Sequence, residues 1–443
     1  MKKVLSTVAA LGLVAGLAST ASAVEFKMSG KYLVEGAYIS SARGTGLDLT
    51  EATNENNPTD AYWLHTFEIK PTMKVNDKIS MSSVIRLADD TFWGGQAGGD
   101  TEGLSGTNDV YIHQLYMDYA SPIGKMRFGR VPAGPYGTDF MDADLRADRV
   151  MLWPSFLAGG PVTTLFYMQK STDQRGIASP SNEATFQSDA DSTKYVARVY
   201  YKTDSLDSGM EYAFANNMTD STVNDVKQNV TVYGKYKMDM FFANAELTHY
   251  FGSKDYDAAA TLDRDYDSWA GMMQVGANIS GLTPSLMYFY AQGQDMGATA
   301  ANGGDLENAL ATSGTGDMFE PLYILTGRHT GMLNNDIFSG HTGGLSTAGV
   351  HAVVAAADYA VSNQLRLHGA IGWAKADEVQ AAGQDDAYGW EYNVGAAYKL
   401  LDNLTYEAHF GYLDTGDFFN GAGNSPDITK NIYILTHSLT MTF

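Results

Sequence analysis

The densest run of ionisable side chains is Asp139, Asp142, Asp144, Arg146, Asp148 and Arg149, beside a stretch broken by Pro132, Pro135 and Gly137. Carboxylates interleaved with guanidinium groups, with no nucleophile or imidazole among them, are not a catalytic set. On a loop bent into a water-filled space they create a field across it; on an outer loop they keep it hydrated. A second acidic run, Asp255, Asp257, Asp263, Asp265 and Asp267, lacks the central Gly and terminal Glu of a calcium-binding loop. Solvation is its expected role, with loop-bound calcium the weaker alternative. His249, His329, His341, His351, His368, His409 and His437 fall in separate segments. There is no Gly-x-Ser-x-Gly elbow, no His-Glu-x-x-His pair and no phosphate-binding Lys loop. With 0 cysteines, the chain can form no disulfide, thiolate metal centre or covalently attached c-type haem. The 29 Lys and Arg against 51 Asp and Glu give a net charge of -22, which argues against a nucleic-acid binder, whose surface needs clustered Lys and Arg. The expectation is a protein with no catalytic residues, no metal and no cofactor.

The elements that carry these charges are long and alternating. Lys2 and Lys3 precede an apolar run from Val4 to Ala18, and Ala21-Ser22-Ala23 is a small-residue cleavage pattern. Residues 1–23 therefore read as a secretory leader and 24–443 as one domain. Phe26, Met28, Gly30, Tyr32, Val34, Gly36 and Tyr38 share one parity, while Lys27, Ser29, Lys31 and Glu35 share the other. Ordinary soluble strands average about 5–6 residues, whereas strands that cross a membrane need about 9–11. Trp63, Phe67, Ile69 and Met73 alternate with Thr66, Glu68, Lys70 and Thr72, and a turn at Asn76-Asp77-Lys78 leads into Ile79, Met81 and Ile85. That is a hairpin of two amphipathic strands.

The same pattern places strands near 24–40, 62–75, 78–88, 109–120, 124–131, 148–156, 162–170, 193–203, 209–216, 226–238, 241–251, 268–279, 284–292, 348–361, 364–375, 387–400, 403–413 and 429–443. The total is about eighteen, bounded by roughly sixteen and twenty. Pro154 is awkward in a central strand because it removes a ladder donor. The segment 319–328 is a further strand candidate inside the long connection 293–347. Connections alternate between short and long. An apolar face in lipid cannot leave open sheet edges, since unpaired amides in hydrocarbon cost several kcal/mol. The fold class expected is all-β: a transmembrane antiparallel β-barrel with periplasmic termini and long extracellular loops.

The inward rows of such a barrel would carry Lys31, Glu35, Glu68, Lys70, Arg86, Asp118, Arg127, Arg130, Arg198 and Arg366 as a hydrated lumen wall. The connection 132–147, with Asp139, Asp142, Asp144, Arg146, Asp148 and Arg149, is the candidate constriction. The connection 293–347 either lies outside as a long external loop, folds over or into the pore, or hides a hairpin.

The last segment puts Tyr433, Leu435, Leu439, Met441 and Phe443 on one parity and ends on Phe443. This resembles the assembly signal of bacterial outer-membrane β-barrels. Leu115-Tyr116-Met117-Asp118-Tyr119 leading to Gly124-Lys125-Met126-Arg127-Phe128-Gly129-Arg130, and Tyr398 to Tyr406 leading to Gly411-Tyr412-Leu413, resemble porin-like and alginate-export-like barrels. Where such families carry Gly-Arg-Gln after the second hairpin, this chain has Gly129-Arg130-Val131. The resemblance implies a porin: a water-filled outer-membrane channel for passive diffusion of ions and small hydrophilic solutes. The net charge adds a bias toward cations. Its implied partners are outer-membrane lipid and lipopolysaccharide, the barrel-assembly machinery and a homotrimer, with no nucleic acid. Two alternatives stay open: a scaffold sheathing a periplasmic multihaem cytochrome, and a polysaccharide exporter with a lumen ringed by Arg and Lys.

Overall fold

The structure, a computed structural model, describes residues 24–40, 42–43, 46–47, 59–93, 110–132, 136–140, 146–172, 191–220, 222–257, 261–295, 302–309, 319–327, 348–379, 382–420 and 431–443. The barrel strands are β1 (Glu25–Ile39), β2 (Asp60–Lys74), β3 (Ile79–Phe92), β4 (Tyr111–Ser121), β5 (Gly124–Pro132), β6 (Arg146–Pro154), β7 (Val162–Thr172), β8 (Ser192–Lys202) and β9 (Leu206–Asn217). They continue as β10 (Val223–Met238), β11 (Phe241–Tyr256), β12 (Arg264–Ala277), β13 (Leu282–Ala291), β14 (Val350–Ala360), β15 (Leu365–Lys375), β16 (Ala387–Leu401), β17 (Leu404–Thr415) and β18 (Ile432–Thr442). Each strand pairs antiparallel with its sequence neighbours in one 18-stranded sheet. β18 pairs with β1 from Lys31↔Thr442 to Ile39↔Ile434, so the sheet closes on itself. Closure removes the edges that a lipid-facing sheet cannot expose.

Alternation fixes what faces where. Met28, Met117, Val150, Phe166, Tyr195, Leu247, Met273, Val394 and Leu435 are exposed and share the outward rows. Glu35, Glu68, Glu211, Glu246 and Glu391 are buried on the inward rows. A carboxylate on the lipid face would cost several kcal/mol, so the period-two pattern fixes the register of each strand. Hairpins at one rim are tight. Asn76 Oδ1 accepts the Lys78 and Ile79 amides at 2.8 and 3.0 Å. Ser280 and Gly281 turn β12 into β13 with φ of 47° and 90°, the paired positive dihedrals of a two-residue turn that matches strand twist. The seam is locked by exchange between Gly30 and Phe443: Gly30 N donates to Phe443 O at 2.9 Å and Phe443 N to Gly30 O at 3.1 Å. A Cβ at Gly30 would lie 2.3 Å from Phe443 Cζ.

The segment 319–327, expected as a possible strand, is not one. It is a bent loop segment packed inside the barrel, with Leu322 and Ile324 at 0% exposure. Pro321 interrupts it, and its apolar residues do not alternate.

Candidate lumen constriction

Two loop segments fold inward and meet. The first, 136–140, follows β5. Tyr136 sits edge-on against Tyr200 and Tyr233, with ring centroids 5.5 and 5.2 Å apart, and the Arg198 guanidinium lies 4.5 Å over its ring. Thr138 then donates from its amide and its hydroxyl to Glu246 Oε2, at 2.8 and 2.7 Å. Phe140 ends the run against Phe319, 5.1 Å away.

The second segment, 319–327, precedes β14. Phe319 also packs edge-on against Phe289 of β13 at 5.1 Å. The fully buried Glu391 of β16 accepts the Ile324 amide at 2.8 Å and the Leu325 amide at 2.7 Å, one on each oxygen. Tyr323 Oη and His409 Nδ1 of β17 are 2.8 Å apart. Inward glycines make the trough that receives this segment. A Cβ at Gly372 would meet Leu322 Cδ1 at 2.6 Å, and one at Gly395 would meet the Tyr323 hydroxyl at 2.8 Å. A buried carboxylate that accepts backbone amides is a strong anchor, because hydrogen bonds to charged acceptors are worth roughly twice neutral ones. These contacts all land on β8 to β17.

The other part of the wall carries charge. Arg127 of β5 makes a two-pronged bond to Asp118 of β4, at 2.6 Å from Nε and 2.9 Å from Nη2. Arg86 lies 2.5 Å from Asp89 and 3.5 Å from Glu68, which also pairs with Lys70 at 2.7 Å. Arg198 pairs with Glu211 at 2.5 Å. Aromatic faces back these cations: Arg127 lies 4.2 Å over Tyr116, and Arg149 and Arg198 lie 4.7 and 5.4 Å over Tyr167.

An alternating closed sheet with a polar lumen narrowed by in-folded loops is the layout of a channel. A family model described as Porin subfamily matches residues 168–435. The chain belongs to this porin family. No curated protein matches it. Among solved structures, the porin is similar in fold to OccK8 (OprE) of Pseudomonas aeruginosa, at 13% identity and a TM-score of 0.52, covering 94% of this chain and 98% of that one. It is likewise similar to OpdQ of Pseudomonas aeruginosa (11%, 0.52, 94% and 98%). A third is a BenF-like porin from Pseudomonas fluorescens (12%, 0.51, 94% and 99%). The porin is an integral β-barrel of the outer membrane, not an enzyme.

Lys31, Glu35, Glu68, Lys70, Arg86, Asp118, Arg127, Arg198 and Arg366 all lie on inward rows of the porin, as the alternation requires. Arg130 does not. It pairs in register with Leu115 and with Asp148, on the outward row, and lies 3.6 Å from the Asp148 carboxylate. Arg127 and Arg130 are separated by an odd number of positions, so a strand cannot point both inward. Asp148 leaves the constriction for the same reason, and Arg146 starts β6 opposite Pro132 on that same outward parity. Arg149 is inward, opposite Gly129. Asp139 is exposed on the in-folded segment, while Asp142, Asp144 and residues 1–23 lie outside the described residues. Tyr433, Leu435, Leu439, Met441 and Phe443 share the outward row of β18. In the second acidic run, Asp263 accepts the Tyr256 amide at 2.8 Å and Asp267 lies 2.8 Å from His249 Nε2.

The anchoring roles of Glu246 and Glu391 were not legible as such. The available signal was an inward Glu neighboured by inward glycines, at Glu391 with Gly372, Gly389, Gly395 and Gly411.

Proposed function

We propose that this porin is a passive channel for small hydrophilic solutes whose open path follows the inner face of β1 to β8, and that it passes anions in preference to cations. The observation that carries this is the split of the wall. Loop anchors occupy β8 to β17. On β1 to β8 the inward Lys27, Lys31, Lys70, Lys74, Arg86, Lys125, Arg127, Arg149, Lys194, Arg198 and Lys202 outnumber Glu25, Glu35, Glu68, Asp89, Asp90 and Asp118. Charges lining a narrow, low-dielectric passage act on a solute more strongly than distant ones.

The cation preference expected from net charge is therefore replaced. Much of the acid in that sum sits in loops, as with Asp257 and Asp263, where salt screens it within about 10 Å. Asp139, exposed on the in-folded segment, would supply an opposing negative charge across the path. Val24 and Phe443 lie at the rim of tight hairpins, which we place in the periplasm, with the longer connections outside. The in-folded segments take up lumen that a sheathed protein would need, which supports a channel over a scaffold. Planar-bilayer recording tests the reading. Stepwise conductance with an anion-selective reversal potential in a KCl gradient is expected. Silence from folded protein would remove the channel, and a cation-selective potential would remove the assigned path.

A further inference from the structure

We infer that the lipid-facing surface of β5 to β7, at the rim of the long connections, docks the phosphate of an outer-leaflet glycolipid of the lipopolysaccharide class through Arg130, Arg146 and Lys170. The inference is independent of what the lumen conducts. It rests only on the placement of the long connections outside the cell.

The outward rows of this barrel carry few cations. Among the described strand residues, the outward Lys and Arg are Arg130, Arg146, Lys170 and Lys375. The first three fall on three consecutive strands. Arg130 of β5, Asp148 of β6 and Lys170 of β7 occupy one line of register, and Arg146 is the next outward position toward the rim, opposite Pro132. Acids gather on a different part of the outer surface, as Asp255, Asp265 and Asp267 on β11 and β12. β5 ends at Pro132, β6 begins at Arg146 and β7 ends at Thr172, so each cation stands at or beside a strand end. A cation at the hydrocarbon midplane is costly, but near the interface it costs little, because its apolar stem lies along lipid while its head reaches the headgroups. One outward row further in, Phe128, Val150, Met168 and Tyr195 form an apolar line of register, with Val150 and Tyr195 exposed to acyl chains.

An internal ion ladder does not account for the group. Lys170 is matched by Asp191. Arg130 stands 3.6 Å from Asp148, with the two side chains 46% and 61% exposed. Arg146 has a proline across the strand pair, and among the described residues no carboxylate pairs with it. Three cations thus share two carboxylates on a surface that faces the headgroup layer. Clustered Lys and Arg beside a membrane-embedded surface recognise phosphorylated head groups, and two guanidinium forks with one ammonium suit phosphate oxygens.

The test is native mass spectrometry of the full chain, refolded in detergent without lipid and titrated with bisphosphorylated lipid A, dephosphorylated lipid A or inorganic phosphate. Each variant is first shown to run as a folded barrel on an unheated gel. The parent should retain bisphosphorylated lipid A, and R130Q/R146Q should bind it about tenfold more weakly, the scale of one lost hydrogen bond to a charged group. R146Q alone should weaken it in the same direction, which keeps the test open if the double variant does not fold. K375Q, which removes the outward cation matched by Asp386 at 2.7 Å, should bind like the parent. Parent-like retention by the folded Arg variants, an equal loss in K375Q, or equal retention of the dephosphorylated lipid overturns the site. Inorganic phosphate bound as tightly as the lipid overturns the lipid as its source. Asn363→Cys, in the β14–β15 hairpin of a chain with 0 cysteines, should stay unlabelled by a large membrane-impermeant maleimide on intact cells; labelling would put the three cations at the periplasmic leaflet and overturn the inference.

Discussion

Glu391 offers the sharpest single perturbation. It is 0% exposed, and its two oxygens hold the Ile324 and Leu325 amides at 2.8 and 2.7 Å. Glu391→Gln preserves shape but leaves one acceptor oxygen, and the other position becomes an amide donor facing a backbone donor. The change removes one hydrogen bond to a charged acceptor, about 1.5–3 kcal/mol, and strands one buried N–H, about 1–3 kcal/mol. A combined shift of about 3–5 kcal/mol alters the ratio of docked to released loop by roughly two to three and a half powers of ten. Leu322, Ile324 and Leu325 keep their apolar burial, so the docked form persists as one of two states. Single-channel recording should therefore show one conductance level for the parent chain and an additional, larger level for E391Q. E391A, which removes both acceptors, should dwell longer in the larger level. An unchanged single level, with unchanged current noise, in an E391Q barrel that migrates as folded would refute the claim that this carboxylate hangs the constriction.

Three other outcomes follow from the same geometry. At Glu246 the oxygen Oε2 accepts both Thr138 donors, so E246A, which removes that acceptor, should widen the path and raise single-channel conductance. A parent-like conductance from a folded E246A barrel would contradict this. Gly30→Val places a side chain 2.3 Å from Phe443 Cζ and 2.7 Å from Glu68 O, so it should open the β1–β18 seam and reduce the folded fraction on an unheated gel; parent-like yield would refute it. In the connection after β15, burial and the neighbouring Asp377, Asp295 and Glu307 hold the Glu378 pKa above the usual carboxylate range. A raised folded-state pKa stabilises the packed form at low pH, and that gain is lost as pH rises through the raised value. Hydrogen exchange at the Gly293 amide, which donates to Asp377 Oδ2 at 2.8 Å, should slow relative to its intrinsic rate as pH falls through that range.

Every segment placed by alternation is a strand, because apolar residues recur at every second position of the lipid-facing rows and so write period two into the sequence, with few charged exceptions such as Arg130 and Asp148. The weakly patterned 124–131 and 148–156 hold as β5 and β6, and Pro154 is accommodated as the last residue of its strand. The misplaced ends have a physical cause. β11 runs on to Tyr256 and β12 starts at Arg264, further than expected. Lys254, Asp255, Arg264 and Asp265 are polar on both faces, so hydrogen bonding continues where the alternation of apolar residues has stopped. The inward loop segments left no periodic trace at all. Their signal is indirect: Gly372 and Gly395 vacate wall positions that Leu322 and Tyr323 fill, and a glycine in a strand reads equally well as curvature.

On the proposed path the wall charge departs from total charge for a structural reason. Three buried acids on the β8–β17 side of the wall are engaged in holding the fold. Glu246 and Glu391 are buried and accept from loop donors, and Glu211 is matched by Arg198. A carboxylate whose oxygens are already filled by N–H and O–H donors presents little field to a passing ion, because those dipoles point their positive ends at it. Among the described residues the cations on β1 to β7 anchor neither in-folded segment; Arg198 of β8, under Tyr136, is the exception on that side. Arg127 is paired but stands over an open aromatic face, and Arg149 has only a neutral amide and a ring. A chain with 22 excess negative charges can in this way offer solutes a positive wall. The same anchors that narrow the passage take negative charge out of it, so releasing a loop should both widen the channel and weaken its preference for anions.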